Sequence, residues 1–545
     1  MMSNKNAKGF IIVNKNKESD NVHHFCDDTI VNESLKVIAK GTGIILIGTV
    51  TGSVLAALFP IIIARFYSPT EFGVYALAIT VFFFLVQISS LGLGDGCSRN
   101  IAFYRGKRDY DKVKKIITSS FEIVIISGVA ANILLFLSAD WISYTVFNNE
   151  ALVAPLRILS FAVPFWILIT MIISVFRGFD QTKENVYFSH LLTEGGKILF
   201  VTPVVILAFS FVYIFYAFVA NVIMVFTVAF FYFKRKIPRE LKEKTLNGSK
   251  PSAGSVKKDL LFFSLPLVFS GMAWFLLQGT DKFMIGYFMQ EHNVGLYNAA
   301  CTISGYLNVF LVSFMFIYQP VGTRLFGASK NLEVKKLYQM ITKWIFLLAS
   351  PFIMFVILAP ELTMSILFGN KYLPGIFPLT ILFLTYGIRI CLGPAGGSVI
   401  MLGKTKQLMC IVAFMAVTNI VLNWFLIPLY GINGAAVATG VSIGLLSFLE
   451  IGYLYRIAKI HPMKMTYAKM ISIFLSLMIA VYIVFQYLPI TFSSSTKVLV
   501  IVYSYFLFLV LLAVFNLFKE EDMLIIRLTE EKLGIKIPFV RKIIR

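Results

Sequence analysis

Charged side chains are scarce in this chain of 545 residues. Asp, Glu, Lys and Arg together make up 14% of the sequence, whereas 58% of the residues are hydrophobic, and the mean hydropathy is +0.80. Soluble domains are about one quarter charged. The composition therefore excludes an ordinary soluble protein and predicts an integral membrane protein.

Cysteine is also rare, and its spacing has no pattern. The sequence has five cysteines, which are far apart: Cys26, Cys97, Cys301, Cys391 and Cys410. This distribution predicts neither a disulfide framework nor a metal site. Residues 1–35 are polar and lack the short apolar core of a cleavable signal peptide, so we expect a disordered cytoplasmic tail.

Long apolar runs, in contrast, are abundant. A run of about 20 residues crosses a bilayer as a helix, and helices satisfy their own backbone hydrogen bonds there. We therefore predict an all-α integral membrane protein with about fourteen transmembrane helices. The predicted spans are 41–64, 73–94, 116–139, 157–176, 186–209, 212–233, 260–287, 295–318, 337–358, 378–402, 408–427, 434–455, 470–488 and 498–517.

The net charge of +21 is unevenly placed along the chain. Most Lys and Arg residues lie in both tails and in the connections on one predicted side, such as 96–115, 234–258 and 456–469. The loops of the opposite side hold four cations: Arg65, Arg157, Lys371 and Lys497. The positive-inside rule places the basic side, with both termini, in the cytoplasm of a multi-pass cell-membrane protein. The basic loops are expected to contact anionic lipids rather than nucleic acid.

The sequence contains an internal duplication. "PLRIL" (155–159) recurs as "PLTIL" (378–382), "GVYALA" (73–78) as "GLYNAA" (295–300), and "AFVAN" (217–221) as "AAVAT" (435–439). The matches keep their order at a nearly constant separation of roughly 220 residues. Because each copy has an even number of spans, the copies are parallel, and transporters built from such repeats place the substrate path between them.

This duplication predicts six regions. They are a tail (1–35), an N-terminal six-helix lobe (36–233), a basic cytoplasmic linker (234–258), a C-terminal six-helix lobe (259–456), two further transmembrane helices (457–517), and an amphipathic basic cytoplasmic tail (518–545). We expect the last segment to form an interfacial helix.

Three segments carry a family resemblance: "IIIARFYSPTEFGVYALA" (61–78), "SLGLGDGCSRNIAFYRGK" (90–107) and "LIPLYGINGAAVATGVS" (426–442). They resemble polysaccharide and O-antigen (Wzx-type) flippases of the multidrug/oligosaccharidyl-lipid/polysaccharide exporter superfamily. The resemblance implies two lobes facing each other in a V. It also implies a flippase that moves a polyprenyl-diphosphate-linked glycan from the cytoplasmic to the outer leaflet by alternating access, with glycan polymerases or glycosyltransferases as further partners.

Charged residues within predicted spans are costly in lipid and mark functional sites. The candidates for the substrate cavity are Arg389, Lys197, Glu194, His190, Asp281, Lys282 and Arg65. His190, Glu194 and Lys197 share one helical face. At the repeat separation Arg389 corresponds to Trp166, so only the C-terminal lobe carries a cation at this position. The alternatives are an internal i,i+3 ion pair for Glu194 and Lys197, and snorkelling to the surface for Arg65 and Lys282.

The glycine-rich segment "GPAGG" (393–397) lies within the predicted span 10. The segment is expected to interrupt span 10, either as a bend that lines a cavity or for close packing. "LGKTK" (402–406) lacks the first glycine of a P-loop, because Ser398 stands there; no enzyme activity, catalytic residue or cofactor is predicted. Coupling to H⁺ or Na⁺ stays open. The alternatives are a cation-coupled multidrug exporter, a flippase for a lipid-linked peptidoglycan precursor and, more remotely, a membrane glycan polymerase or ligase.

Overall fold

The computed structural model describes residues 48, 51–181, 183–236, 253–487 and 493–517. Within these ranges the regular elements are helices, and no strand is present, as the all-α prediction requires. The predictions for the tail 1–35, the centre of the linker 234–258 and the tail 518–545 concern residues that lie outside the described ranges.

The part of the chain before the linker, here called the N-terminal half, contains nine described helices. They are α1 (Thr51–Phe66), α2 (Pro69–Ser89), α3 (Leu93–Gly106), α4 (Tyr110–Trp141), α5 (Val153–Ser160), α6 (Ala162–Gly178), α7 (Lys183–Asn185), α8 (Thr193–Ile206) and α9 (Tyr213–Lys236). Single π-helical turns, Ile142–Val146 and Val186–Leu192, extend α4 and precede α8.

The part after the linker contains eight described helices of the C-terminal half and two more beyond it. They are α10 (Ala253–Phe288), α11 (Glu291–Gly305), α12 (Leu307–Gly327), α13 (Asn331–Leu358), α14 (Pro360–Leu367), α15 (Ile376–Leu392), α16 (Ala395–Met401), α17 (Thr405–Ala458), α18 (Met465–Tyr487) and α19 (Ser494–Val514). A 3₁₀ turn, Asn370–Gly375, precedes α15.

Among the described residues, ten helices are long and apolar enough to cross a membrane. The number is eleven if the bent pair Glu150–Ser160 and Ala162–Gly178 forms one span. The chain is therefore a multi-pass membrane protein, but this criterion does not confirm the count of about fourteen. Part of the difference lies in α17, which counts once in this number although it covers the two predicted spans 408–427 and 434–455 with a kink at Gly431 between them.

The helix α17 folds back on itself at Gly431. This residue has φ 60° and ψ −139°, a conformation that glycine adopts without the clash that a Cβ would cause. A straight helix of 54 residues would be about 80 Å long. Instead, Asn419 Nδ2 lies 3.1 Å from Thr439 Oγ1. The two arms of α17 are therefore packed side by side, as the two predicted spans require.

The two halves meet at one end of the molecule where α2 crosses α11. The crossing point is formed by Gly73 and Gly295, which are equivalent positions of the sequence repeat. A Cβ on Gly73 would overlap the carbonyl oxygen of Glu291, and a Cβ on Gly295 would overlap that of Pro69. The absence of side chains at both positions allows this close approach of the two backbones.

Two cations hold the halves together at the same end. Arg65 donates from Nε to Leu367 O and from a terminal nitrogen to Ser365 O, both at 3.0 Å. In the reverse direction, Lys371 Nζ donates to Tyr67 O at 2.5 Å. Arg65 lies at the C-terminal end of α14, and Lys371 lies at the C-terminal end of α1. The unpaired carbonyls of a helix end carry partial negative charge. We call this pair of contacts the clasp.

The halves also touch near the opposite end of α10. Lys257, in the first turns of α10, forms a 2.6 Å ion pair with Glu122 of α4. Two turns later the guanidinium of Arg99 lies 4.4 Å from the centre of the Phe263 ring. About 30 residues, or roughly 45 Å at 1.5 Å per residue, separate Lys257 from the end of α10 at Phe288, close to the start of α11 at the glycine crossing.

The last two helices pack against α13. Phe346 of α13 stacks edge-on with Phe474 of α18, with the ring centres 5.2 Å apart. Tyr505 of α19 donates to Leu347 O at 3.1 Å, and Lys343 Nζ donates to Leu517 O at 2.8 Å. These contacts attach α18 and α19 to the C-terminal half.

Candidate functional site

A cavity of about 570 Å³ opens within the C-terminal half. It lies between α10, α11, α12, α15 and the second arm of α17, and we call it the C-terminal cavity. Its polar and aromatic lining consists of Trp274, Gln278, Asp281, Lys282, Thr302, Asn308, Tyr386, Arg389 and Thr439. Three of the seven predicted site residues, Asp281, Lys282 and Arg389, are therefore brought together here.

The backbone of the predicted "GPAGG" bend shapes one wall of this cavity. The helix α15 ends at Leu392, Gly393 has φ 78°, and α16 starts two residues later. A Cβ on Gly396 would lie 2.6 Å from Glu450 Oε1, and a Cβ on Gly397 would overlap the Met315 side chain. Both expectations for the segment are confirmed, because it bends the chain beside the cavity and packs closely.

Arg389 occupies the last turn of α15, directly before this bend. Its guanidinium donates to Ser447 Oγ at 3.2 Å and lies 3.5 Å from Glu450 Oε2. The ring of Trp274 is 5.9 Å from the guanidinium carbon. With 17% of its side chain exposed, Arg389 keeps a face toward the cavity from which it could bind an anion.

Glu450 is the important residue that the sequence analysis missed. Its side chain is only 3% exposed, and Oε1 has no hydrogen-bond partner among the described residues. No acid stands within one turn of Arg389 in the sequence, and its partner comes from α17, 61 positions later. A signal was present, because Glu450 is the single charged residue of the predicted span 434–455.

Asp281 is the centre of a buried polar network. Its carboxylate accepts hydrogen bonds from Tyr297 Oη at 2.6 Å and from the backbone of Lys282 at 2.9 Å. Thr439 Oγ1 is 3.4 Å away and accepts in turn from Asn419. Asn423 Nδ2 then donates to Asn419 Oδ1 at 3.0 Å, while Asn423 Oδ1 is buried without a partner among the described residues.

A second charged group lies in the N-terminal half. Glu194 and Lys197 form a 2.9 Å ion pair on α8, and their side chains are only 16% and 12% exposed. Three aromatic rings surround the ammonium group at 5.8–5.9 Å: Phe59, Trp166 and Phe218. The internal i,i+3 pair is therefore formed. Trp166, the repeat equivalent of Arg389, contacts this second cation.

The two other predicted site residues lie elsewhere. His190, in the π-helical turn before α8, packs against α1, where a Cβ on Gly52 would overlap its side chain. Arg65 belongs to the clasp and does not line the C-terminal cavity. Within the described ranges, no three His, Cys, Asp or Glu residues form a group that could hold a metal ion.

The profile of the polysaccharide biosynthesis protein family matches residues 38–325, just over half of the chain. The chain belongs to this family. The MatE profile matches residues 266–425. The membership confirms the family resemblance that the three sequence segments indicated.

Two curated relatives add to the family assignment. The putative O-antigen transporter of Shigella flexneri is 23% identical over 400 residues, covering 72% of this chain and 91% of the relative. Stage V sporulation protein B of Bacillus subtilis is 27% identical over 146 residues, which cover 27% of each protein.

Two solved structures share the fold of this family member. The inward closed form of the lipid II flippase MurJ has a TM-score of 0.66 at 14% identity, covering 85% of this chain and 97% of that one. An inward-facing multidrug resistance MATE transporter of the MOP superfamily has a TM-score of 0.61 at 16% identity, covering 74% and 93%. At such identities the likeness concerns the fold alone.

Proposed function

We propose that this protein is a flippase. It moves a polyprenyl-diphosphate-linked oligosaccharide from the cytoplasmic to the outer leaflet by alternating access, for the synthesis of a cell-surface polysaccharide. Membership of the polysaccharide biosynthesis protein family and similarity to an O-antigen transporter over most of both chains support this proposal. A transport role, rather than catalysis, agrees with the named functions of these relatives.

The observation that carries the proposal is the C-terminal cavity with Arg389 in its wall. A glycan and its diphosphate cannot cross hydrocarbon, because each unpaired polar group there costs several kcal/mol. The cavity supplies partners for both parts. Arg389 offers a planar fork that suits phosphate oxygens, while Trp274, Gln278 and Asn308 offer an aromatic face and amide groups for sugar hydroxyls.

We propose Asp281 as the site of a coupling cation, either H⁺ or Na⁺. The surrounding groups fit such a role, because Thr439, Asn419 and Asn423 present oxygen atoms, the ligand type that hard cations prefer. Asn423 Oδ1 is a buried acceptor with no partner in the described structure. A bound cation would neutralise the buried carboxylate. Flipping driven by a Na⁺ gradient or by a pH gradient, compared in wild type and Asp281→Asn, distinguishes the two ions.

The decisive experiment measures flipping in proteoliposomes. A radiolabelled lipid-linked oligosaccharide is enclosed in the inner leaflet, and its arrival outside is detected with an added glycosidase. We expect Arg389→Ala to reduce the rate at least about tenfold, since a lost charge-assisted hydrogen bond is worth 1.5–3 kcal/mol. Arg389→Lys should restore only part of it, because an ammonium lacks the planar fork. Wild-type flipping by Arg389→Ala would contradict the proposal.

A multidrug exporter is the second candidate, favoured by the MatE match and the shared fold. Two features count against it. The helix α1, "TGSVLAALFPIIIARF" (51–66), has no acidic residue that could bind a coupling cation, and Arg389 in the cavity wall offers a guanidinium that suits an anionic ligand. Efflux of a cationic dye from the same proteoliposomes, with no flipping, would favour this second candidate.

A further inference from the structure

We propose that Glu450 competes with the anionic headgroup for Arg389, so that a diphosphate binds in the C-terminal cavity together with one proton. This inference rests on the proposed function for the class of ligand, a sugar diphosphate diester. It adds a control of that site: the carboxyl group of Glu450 must take up a proton before Arg389 is released for the ligand.

The first argument is the geometry of the Arg389–Glu450 pair. The closest approach is 3.5 Å, which is longer than a strong charge-assisted hydrogen bond of about 2.8 Å. Only Oε2 takes part, whereas Oε1 is buried and has no partner in the described part of the chain. Buried side-chain oxygen atoms normally have at least one hydrogen-bond partner. The pair is therefore a weak one that a better acceptor could replace.

The second argument is the contrast with Asp281 in the same cavity. Asp281 receives hydrogen bonds on both oxygens, from Tyr297 and from the Lys282 backbone. Hydrogen bonds of this kind favour the charged form of a carboxyl group. Glu450 is equally buried and has the Gly396 backbone and Arg389 beside it, but its Oε1 has no hydrogen-bond partner among the described residues. Of these two acids, Glu450 is the one for which the neutral form is favoured when its cation is taken by another anion.

The third argument is the charge of the cavity as a whole. With Asp281 and Glu450 ionised, they balance Arg389 and Lys282, and the site is neutral. A diphosphate diester would then add two negative charges to a partly enclosed cavity of low dielectric, where repulsion is strong. One proton on Glu450 leaves the site with a net positive charge before the ligand enters. Binding of ligand and proton is then mutually favourable, as linkage requires.

Glu450 faces few charged or titratable groups among the described elements that pack on it. From α15 it faces Arg389, and from α16 the backbone of Gly396. From α13 it faces Tyr338, whose hydroxyl donates to Leu392 O. Asp281 and Lys282 of α10 lie on the same cavity. Only the two acids are candidates for the proton, and variants of each separate them.

The test is calorimetric binding of UDP-N-acetylglucosamine to the full-length protein in detergent. This probe is a soluble sugar diphosphate diester and lacks the phosphate monoester group that titrates near neutral pH. Titrations at about pH 8 in two buffers of different ionisation enthalpy give the number of protons taken up. For wild type we expect about one proton, and an affinity that rises about tenfold per pH unit on acidification over the range in which Glu450 is ionised.

The variants locate the proton. Glu450→Gln should bind the probe without proton uptake and with little dependence on pH, at an affinity at least equal to wild type. Asp281→Asn should keep the uptake, and Arg389→Ala should lose binding. Glu333→Gln, which removes an exposed acid of α13 paired loosely with Lys330 at 3.9 Å, is the matched control and should behave as wild type.

Three results would overturn the inference: no binding of the probe, binding by wild type without proton uptake, or uptake that persists in Glu450→Gln and disappears in Asp281→Asn. The proposed function fails separately, in the flipping assay. Proton-linked binding without flipping would sustain the inference and reject the flippase. Flipping of the lipid-linked oligosaccharide with proton-free binding of the probe would reject the inference alone.

Discussion

Gly73 and Gly295 face each other at the point where the two halves of the molecule cross. The sequence repeat aligns these two glycines, and in the structure each lies against a backbone carbonyl of the other half. Equivalent positions of the two sequence repeats are thus in direct contact. The contact requires that neither residue has a side chain, so it gives a direct test of the arrangement.

Gly73→Ala should push α2 and α11 apart. The new methyl group would overlap Glu291 O, which belongs to a backbone and cannot move aside. Overpacking of this kind costs about 1–3 kcal/mol, so the thermal midpoint in detergent should fall and flipping should slow. Gly452→Ala is the control, because a Cβ there meets no atom within 4 Å. Equal midpoints for the two variants would count against the crossing.

Removal of the clasp should weaken the contact between the halves at the end where Gly73 and Gly295 meet, without affecting the rest of the molecule. Thr70 Oγ1 lies 3.5 Å from His292 Nδ1 across the halves, so a Thr70→Cys/His292→Cys pair reports the closed arrangement by disulfide formation. Adding Arg65→Ala and Lys371→Ala should slow this cross-linking several-fold, because each exposed contact stabilises the closed arrangement by about 0.5–1 kcal/mol. Arg157→Ala, which removes an ion pair with Asp140 inside one half, should leave the rate unchanged; equal slowing would refute the clasp.

Variants of the buried Glu194–Lys197 ion pair in α8 should show whether its role is structural. Lys197→Met leaves Glu194 without its cation, and breaking a buried pair costs about 3–5 kcal/mol. The double variant Glu194→Gln/Lys197→Met should recover most of the thermal stability. If the pair serves transport, the double variant stays defective in flipping although it is stable; if it flips normally, the pair is merely structural. Lys330→Met, in an exposed pair, should change the midpoint little.

The orientation can be read by labelling from outside the cell. Ser494, at the start of α19, and Lys459, directly after α17, are both exposed, and α18 is the described helix that separates them. In a cysteine-free background, a membrane-impermeant maleimide should label Ser494→Cys in intact cells and label Lys459→Cys only after lysis. The opposite result would place both termini outside and reverse the predicted topology.

The sequence predicted the charged residues of the cavity better than the contacts between helices. Arg389, Asp281 and Lys282 stood out because an ionised group in an apolar run is visible within a short window. The contact between Arg389 and Glu450 joins two helices far apart in sequence, and no periodicity within either helix encodes it. The same limit applies to Arg65, whose acceptors are backbone carbonyls about 300 positions later and have no sequence signature.

The number of helices was harder to predict than their nature. Hydropathy identifies apolar length, and glycine marked two breaks, at Gly393 and Gly431. The π-helical turn Val186–Leu192, which contains His190, had no such mark, because neither glycine nor proline occurs in it.

The two halves are in contact through the clasp and the glycine crossing, and again at the start of α10. Alternating access needs one set of contacts to break while the other holds, and each state must be reached from the other by thermal energy. The free energies of the two sets of contacts must therefore match to within a few kcal/mol. One set is the clasp with the glycine crossing, and the other is the Lys257–Glu122 ion pair with the Arg99–Phe263 contact. Stability and transport rate are in conflict here, because a mutation that strengthens either set of contacts would stabilise the protein and slow the exchange between its two states.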